Sequence, residues 1–231
     1  MTRGEPIVLI PGMMCDADLW RDQIPVLADA PCLVPDLDAA SIEATVDDIL
    51  GEAPERFALA GLSMGGYVAL ALVRRAPERV TRLLIAHSSA RSDTAEQGAG
   101  REAAIAAVEA GKFDRVVERL VSASVHPSRH ADTPMLQRIE AMLRRMGPER
   151  FVRQQRATAS RADSRAGLAA IAVPTWIVAG DADRIVPPDN AAELAAAIPG
   201  ARLTVVAECG HLSPIERPGR FNRALLGWIH G

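Results

Sequence analysis

Short apolar runs recur along this chain, and each is ended by residues that favour turns. Ile7 to Ile10 stops at Pro11-Gly12, Cys32 to Val34 at Pro35-Asp36, and Phe57 to Ala60 at Gly61. Val80 to Ala86 is a fourth run, while Thr175 to Ala179 and Ala201 to Val206 precede Gly180 and Gly210. Unbroken runs bounded by turn chemistry suit strands that are buried on both faces, where polar alternation disappears. Between them the pattern becomes helical. Tyr67, Val68, Leu70, Ala71, Leu72 and Val73 crowd an apolar helix that starts at Gly65 and ends near Ala76-Pro77. Ala191 to Ala197 is an alanine-rich helical window, and a last helix is expected over Gly219 to Ile229.

Strands alternating with helices imply a parallel sheet, because parallel neighbours need a helix-sized connection to bring the chain back. The expected class is α/β, a mostly parallel sheet flanked by helices. The rhythm breaks between Ser88 and Ile171, where helical stretches at Arg101 to Ala110, Phe113 to Ser124 and Pro134 to Met146 follow one another without a strand. That segment reads as an inserted helical lid. Residues 1–87 and 172–231 are therefore expected to form the core, and 88–171 the lid. At 231 residues the chain falls within the roughly 200 to 250 residues of one α/β domain.

Gly61-Leu62-Ser63-Met64-Gly65 fits a Gly-x-Ser-x-Gly elbow, a sharp strand-to-helix turn that lifts the serine oxygen above the sheet edge. On its own such a pattern is often only a glycine-rich turn. Here the strand before it and the apolar helix after it supply the setting the motif requires, so Ser63 is the candidate nucleophile. A serine hydroxyl is weak at neutral pH and needs a base, with an orienting group behind that base. His211, in Cys209-Gly210-His211-Leu212 just past the last strand, is the candidate base. The acid belongs after the preceding strand, where Gly180-Asp181-Ala182-Asp183-Arg184 offers two carboxylates. Asp183, farther from the strand end, can turn back toward the imidazole, whereas Asp181 can brace the loop or pair with Arg184. The order Ser63, Asp183, His211 is that of α/β-hydrolases.

An oxyanion forming at the substrate carbonyl needs backbone N–H donors. Met64, just after the serine, and Met13, in the turn after the first strand, are the candidates. Met14 and Trp20 are candidate pocket residues, as is His87 at the end of the fourth strand, which could equally be a core histidine. Cys15 or Cys209 could in principle be nucleophiles, but neither lies in an elbow, and a buried structural thiol is the simpler reading.

Ile10-Pro11-Gly12-Met13-Met14 through Trp20, the Gly61 to Gly66 elbow, Gly180 to Pro187, and Gly210-His211-Leu212 through Glu216-Arg217-Pro218 together resemble the α/β-hydrolase superfamily, across nearly the whole chain. Within it the chain looks like the small lid-bearing esterases and lyase-like hydrolases. The resemblance implies Ser63, Asp183 and His211 as a triad, Met13 and Met64 as oxyanion donors, no cofactor and no metal. Many relatives carry His-Gly where this chain has Pro11-Gly12, and that histidine braces the oxyanion loop. The expected activity is cleavage of a carboxylic ester or related acyl substrate through an acyl-enzyme. Carbon–carbon bond hydrolysis, lactonase or acyltransferase activity, and a non-catalytic ligand-binding role, are the alternatives, since membership fixes machinery rather than substrate.

A formal charge of −3 supplies no basic field for nucleic acid. The three cysteines are widely spaced and match neither a disulfide framework nor a zinc pattern. The start, Met1 to Pro11, is too short for a signal sequence, and no apolar stretch approaches the ~18 residues of a membrane span. A cytoplasmic protein acting on a small molecule, without a membrane partner, is expected; oligomeric state is left open. Lys112 is the only lysine. The stretch 91–165 holds fourteen basic and ten acidic residues, so an acidic substrate or carrier could dock at Arg144 and Arg145, with solvated helix faces as the simpler reading.

Overall fold

The computed structural model describes residues 4–27 and 30–231; residues 1–3, which open the expected core segment, and 28–29 lie outside the described residues. The six apolar runs form six strands: β1 (Ile7–Ile10), β2 (Cys32–Leu33), β3 (Phe57–Leu62), β4 (Val80–Ala86), β5 (Thr175–Gly180) and β6 (Arg202–Val206). They make one sheet in the order β2-β1-β3-β4-β5-β6, and every pair is parallel.

Alternate residues of each central strand feed two separate apolar layers. Ile7 and Leu9 of β1 face one layer and Val8 and Ile10 the other; Ala58 and Ala60 of β3 are likewise opposed by Phe57 and Leu59. One layer is closed by α1 (Ile42–Glu52), α2 (Met64–Arg75) and α6 (Asp189–Ala197), through Val46, Ile49, Val68, Leu72 and Leu194. The other is closed by the last helix, Pro218–His230, through Phe221, Leu225 and Trp228, together with Trp20. Covering both faces explains why the strands read as unbroken apolar runs.

Between β4 and β5 the chain is helical: α3 (Ala95–Glu109), α4 (Phe113–Ser124) and α5 (Thr133–Ala159). The expected third helix ends at Met146, and α5 does break there, at Gly147 with φ 78° followed by Pro148. A second helical stretch then continues to Ala159, which the sequence pattern did not suggest. In it Gln154 is fully buried, receives the Met14 N–H at 2.8 Å and donates to the Leu37 carbonyl at 2.7 Å. α1 was also unanticipated; its Ser41 cap accepts the Ala44 N–H at 3.1 Å.

Much of the positive charge along α5 is paired within the molecule. Arg138 pairs with Asp18 and Asp22, Arg145 with Asp16 and Asp18, Arg150 with Asp36, and Arg153 with Asp38, all joining α5 to the loops after β1 and β2. Arg144 pairs with Asp114 and Glu140. Arg144 and Arg145 already have carboxylate partners, which favours solvated helix faces over an anion dock there. Exposed pairs contribute only about 0.2 to 1 kcal/mol each, so they set the position of α5 more than overall stability. Among the described residues no helix is long and apolar enough to cross a membrane.

Candidate active site

After β1 and β2, on one side of the sheet, the chain crosses to β3 on the other side of β1. In such sheets, sites form beyond the carboxyl ends of the strands. Met13 follows β1, Ser63 β3, His87 β4, Asp183 β5 and His211 β6.

Ser63 sits between Leu62 of β3 and Met64 of α2 with φ 56° and ψ −115°. A serine held there stores backbone strain of about 1 to 3 kcal/mol. The surroundings enforce it: its N–H donates to the Ala86 carbonyl at 2.9 Å, and the Ser88 hydroxyl donates to its carbonyl at 2.8 Å. Side chains at the flanking glycines would overlap backbone, Gly65 itself for a Cβ on Gly61 and the Ile10 carbonyl for a Cβ on Gly65. The Ser63 hydroxyl does not cap α2, so the first N–H groups of that helix are left for another acceptor.

Asp183 is saturated with donors. Oδ1 accepts the N–H groups of Ile185 and Val186, each at 2.9 Å. Oδ2 accepts from Nδ1 of His211 at 2.7 Å and from Nδ1 of His87 at 2.9 Å. An ionised carboxylate only accepts, so both histidines carry their proton on Nδ1. His211 then presents a bare Nε2, while Nε2 of His87 accepts the Ser213 hydroxyl at 2.6 Å. Burial raises the Asp183 carboxyl, but the electrostatic attraction of neighbouring His211 and the hydrogen bonds from both imidazoles outweigh it and hold the group well below the usual carboxylate range. Asp181 instead accepts the N–H groups of Glu208 and Cys209, both at 3.0 Å, and braces the loop.

The loop carrying His211 is fixed from behind. Its N–H donates to the Ser124 carbonyl at the end of α4, at 2.8 Å. Glu216, 1% exposed, accepts the Gly210 N–H at 2.7 Å and the His126 N–H at 2.8 Å. Sequence reasoning placed Glu216 only within a resembling motif. No local signal identifies it as a brace, since its partners belong to other segments.

Ser63 and His211 line one small cavity of about 50 Å³ together with Met13, Leu120 and Leu143. Neither the Ser63 hydroxyl nor Nε2 of His211 has a hydrogen-bond partner among the described residues. On its other side Ser63 opens onto a cavity of about 290 Å³, whose wall includes Met13, Met64, Tyr67 and Thr158. Met14, Trp20 and His87, read from the sequence as pocket candidates, line neither cavity. Met14 and Trp20 are fully buried in the apolar layer, Trp20 tilted against Phe221. His87 lies behind the Asp183 carboxylate, with its ring edge toward His211 at a centroid distance of 5.4 Å. Burial pushes the Cys15 thiol up to about 12 and raises Cys209 as well, so neither offers a thiolate.

The His87 arrangement carries a pH signature. Burial lowers the His87 pKa, and its hydrogen bond to Asp183, which pulls the other way, does not compensate. An unfolded histidine titrates near 6.5, so below that pH the unfolded chain takes up a proton that the folded chain refuses. Stability therefore falls as pH drops below about 6.5, by up to about 1.4 kcal/mol per pH unit from this one group. Asp183, depressed in the fold, adds further loss below about pH 4. Asparagine tolerates the left-handed φ of 50° at this position and does not titrate. Urea unfolding of His87→Asn between pH 7 and 5 is expected to show a shallower pH slope than the parent; equal slopes would contradict this account of His87.

Comparison with known proteins agrees with the fold. A model of the alpha/beta hydrolase family matches residues 7–224. A pimeloyl-[acyl-carrier protein] methyl ester esterase of Neisseria meningitidis is 31% identical over 213 residues, covering 90% of this chain and 81% of the relative. A 2-hydroxy-6-oxononadienedioate/2-hydroxy-6-oxononatrienedioate hydrolase of Paraburkholderia xenovorans is 28% identical over 225 residues, covering 91% of this chain and 73% of the relative. Among solved structures, a thermophilic esterase from Thermogutta terrifontis superposes with a TM-score of 0.88 at 28% identity, covering 98% of this chain and 90% of that one. With a sheet of this order, a strained serine at the end of β3 and a match over nearly its full length, the chain belongs to the alpha/beta hydrolase family.

Proposed function

We propose that the protein is a serine hydrolase that cleaves a carboxylic ester, with Ser63 as nucleophile, His211 as general base and Asp183 as the group that orients the base. The observation that carries this reading is the meeting of a strained serine and an Asp183-bound imidazole with a bare Nε2 at the wall of one cavity. His211 takes the Ser63 proton as the hydroxyl attacks the carbonyl. It returns that proton to the leaving alcohol as the tetrahedral intermediate collapses. Water then repeats the sequence on the acyl-enzyme. The Met13 and Met64 N–H groups receive the oxyanion; both residues line the larger cavity beside Ser63. Catalytic hydrogen bonds that are open in the free enzyme commonly tighten only with substrate bound.

Residues 88–171 act as a lid, a reading supported by Leu120, Leu143, Thr158 and Arg161, which contribute to the cavity walls. Cys15, Cys32 and Cys209 are all free thiols, which suits a reducing cytoplasm. The N. meningitidis and T. terrifontis relatives are named esterases, which favours an ester. The P. xenovorans relative, a hydrolase of an oxo-dienedioate by its name, supports carbon–carbon cleavage as the second reading. Pre-steady-state hydrolysis of p-nitrophenyl butyrate separates them. A burst of p-nitrophenol matching the enzyme concentration is expected. Turnover of a vinylogous 1,5-diketone but of no ester would reverse the choice of substrate.

A further inference from the structure

The larger cavity beside Ser63 has a basic end that the reaction at the carbonyl leaves unused. Arg101 and Arg161 both contribute to its wall, and both bind one carboxylate, Asp93. Arg101 Nε donates to Oδ2 at 2.5 Å and Nη2 to Oδ1 at 3.2 Å; Arg161 Nη1 donates to Oδ1 at 2.6 Å. The side chains of Asp93 and Arg161 are only 7% and 6% exposed, so this anion and cation are withdrawn from water together, with the part-buried Arg101 beside them as a second positive charge on the same carboxylate. Arg91, a third arginine on the wall, is already neutralised by Asp189 and Glu193.

An uncompensated charge in a partly dry site is costly, and another anion relieves that cost. The donors for one are present. Arg161 is held over the Tyr67 ring, with its guanidinium carbon 4.3 Å from the centroid. Its Nε and Nη1 are taken by the Arg91 carbonyl, Asp93 and the Thr158 carbonyl, while Nη2 has no partner among the described residues. Thr158 lines the same wall, and its hydroxyl is buried without a partner among the described residues. Buried hydroxyls are rarely left so.

We propose that this end of the cavity is a carboxylate subsite, and that the substrate is an ester carrying a carboxylate a few carbons from the scissile carbonyl, such as the half-ester of a dicarboxylic acid. Arg161 supplies the charge, Thr158 a hydroxyl donor, and Asp93 with Tyr67 holds the guanidinium in place. The substrate half of this inference rests on Ser63 being the nucleophile; the subsite itself does not.

Two measurements keep these apart. In the first, monomethyl adipate and methyl hexanoate are compared as substrates. The parent enzyme is expected to favour the half-ester in kcat/KM. Arg161→Met should lower that ratio at least tenfold and Thr158→Val about threefold, with the loss for the half-ester falling on KM. A parent that favours the neutral ester, or a ratio unmoved by both variants, overturns the proposal. In the second, adipate is titrated calorimetrically into the Ser63→Ala chain, where no turnover is needed. One-to-one binding that Arg161→Met weakens at least tenfold is expected, and absence of adipate binding overturns the subsite. Adipate binding in a chain whose Ser63 is inert toward esters would keep the subsite and remove only the catalytic reading.

Discussion

Ser63→Ala is expected to reduce kcat for p-nitrophenyl butyrate on the order of 10⁶-fold, the loss that follows removal of the nucleophile from a cooperating triad. The fold should survive the change. Ser63 holds its place through its backbone, whose N–H bonds Ala86 and whose carbonyl bonds Ser88, and its hydroxyl has no partner among the described residues. The strained φ of 56° remains with alanine, so thermal unfolding should move little while turnover vanishes. Residual hydrolysis in Ser63→Ala close to that of the parent would place the chemistry elsewhere.

Asp183→Asn is expected to lower kcat about 10⁴-fold through the tautomer of His211. With Ile185 and Val186 donating to one side-chain oxygen, an asparagine keeps its carbonyl there and turns its NH₂ toward the two imidazoles. Both Nδ1 atoms now face donors, so His211 shifts its proton to Nε2 and can no longer accept one from Ser63. His87 meets the same change on the other side of the carboxamide. The substitution should also reduce stability at pH 7, because the depressed Asp183 carboxyl contributes stability above its unfolded pKa that asparagine cannot supply. A variant retaining more than a tenth of the parent kcat would contradict the role given to this carboxylate.

Much of the scaffold was legible because the central strands β1, β3, β4 and β5 are mostly buried apolar runs, and the strand ends differ from the reading by a residue or two. The meeting of Ser63, Asp183 and His211 at one sheet edge was readable from chain order, because parallel strands deliver the loops after them to the same edge. Asp183 could be set against Asp181 by loop length. What stayed hidden depends on neighbours in space. His87 reaches Asp183 because β4 lies beside β5, with Ala86 opposite Val178, and nothing local to His87 reports that pairing. Met14 and Trp20 looked like pocket residues because they follow the turn after β1, but Gln154, 140 positions away, draws the Met14 N–H into the interior. The Arg101–Asp93–Arg161 group was invisible for the same reason, and the surplus of arginines pointed instead to Arg144 and Arg145, which carboxylates already neutralise.

Treatment of the intact chain with a fluorophosphonate, followed by peptide mass spectrometry, asks whether Ser63 is the activated hydroxyl. One phosphonyl group per chain on the peptide containing Ser63, with ester hydrolysis lost in proportion, is the result this account requires. Full inactivation with the adduct on another residue, or an active enzyme that leaves Ser63 unmodified, would contradict it.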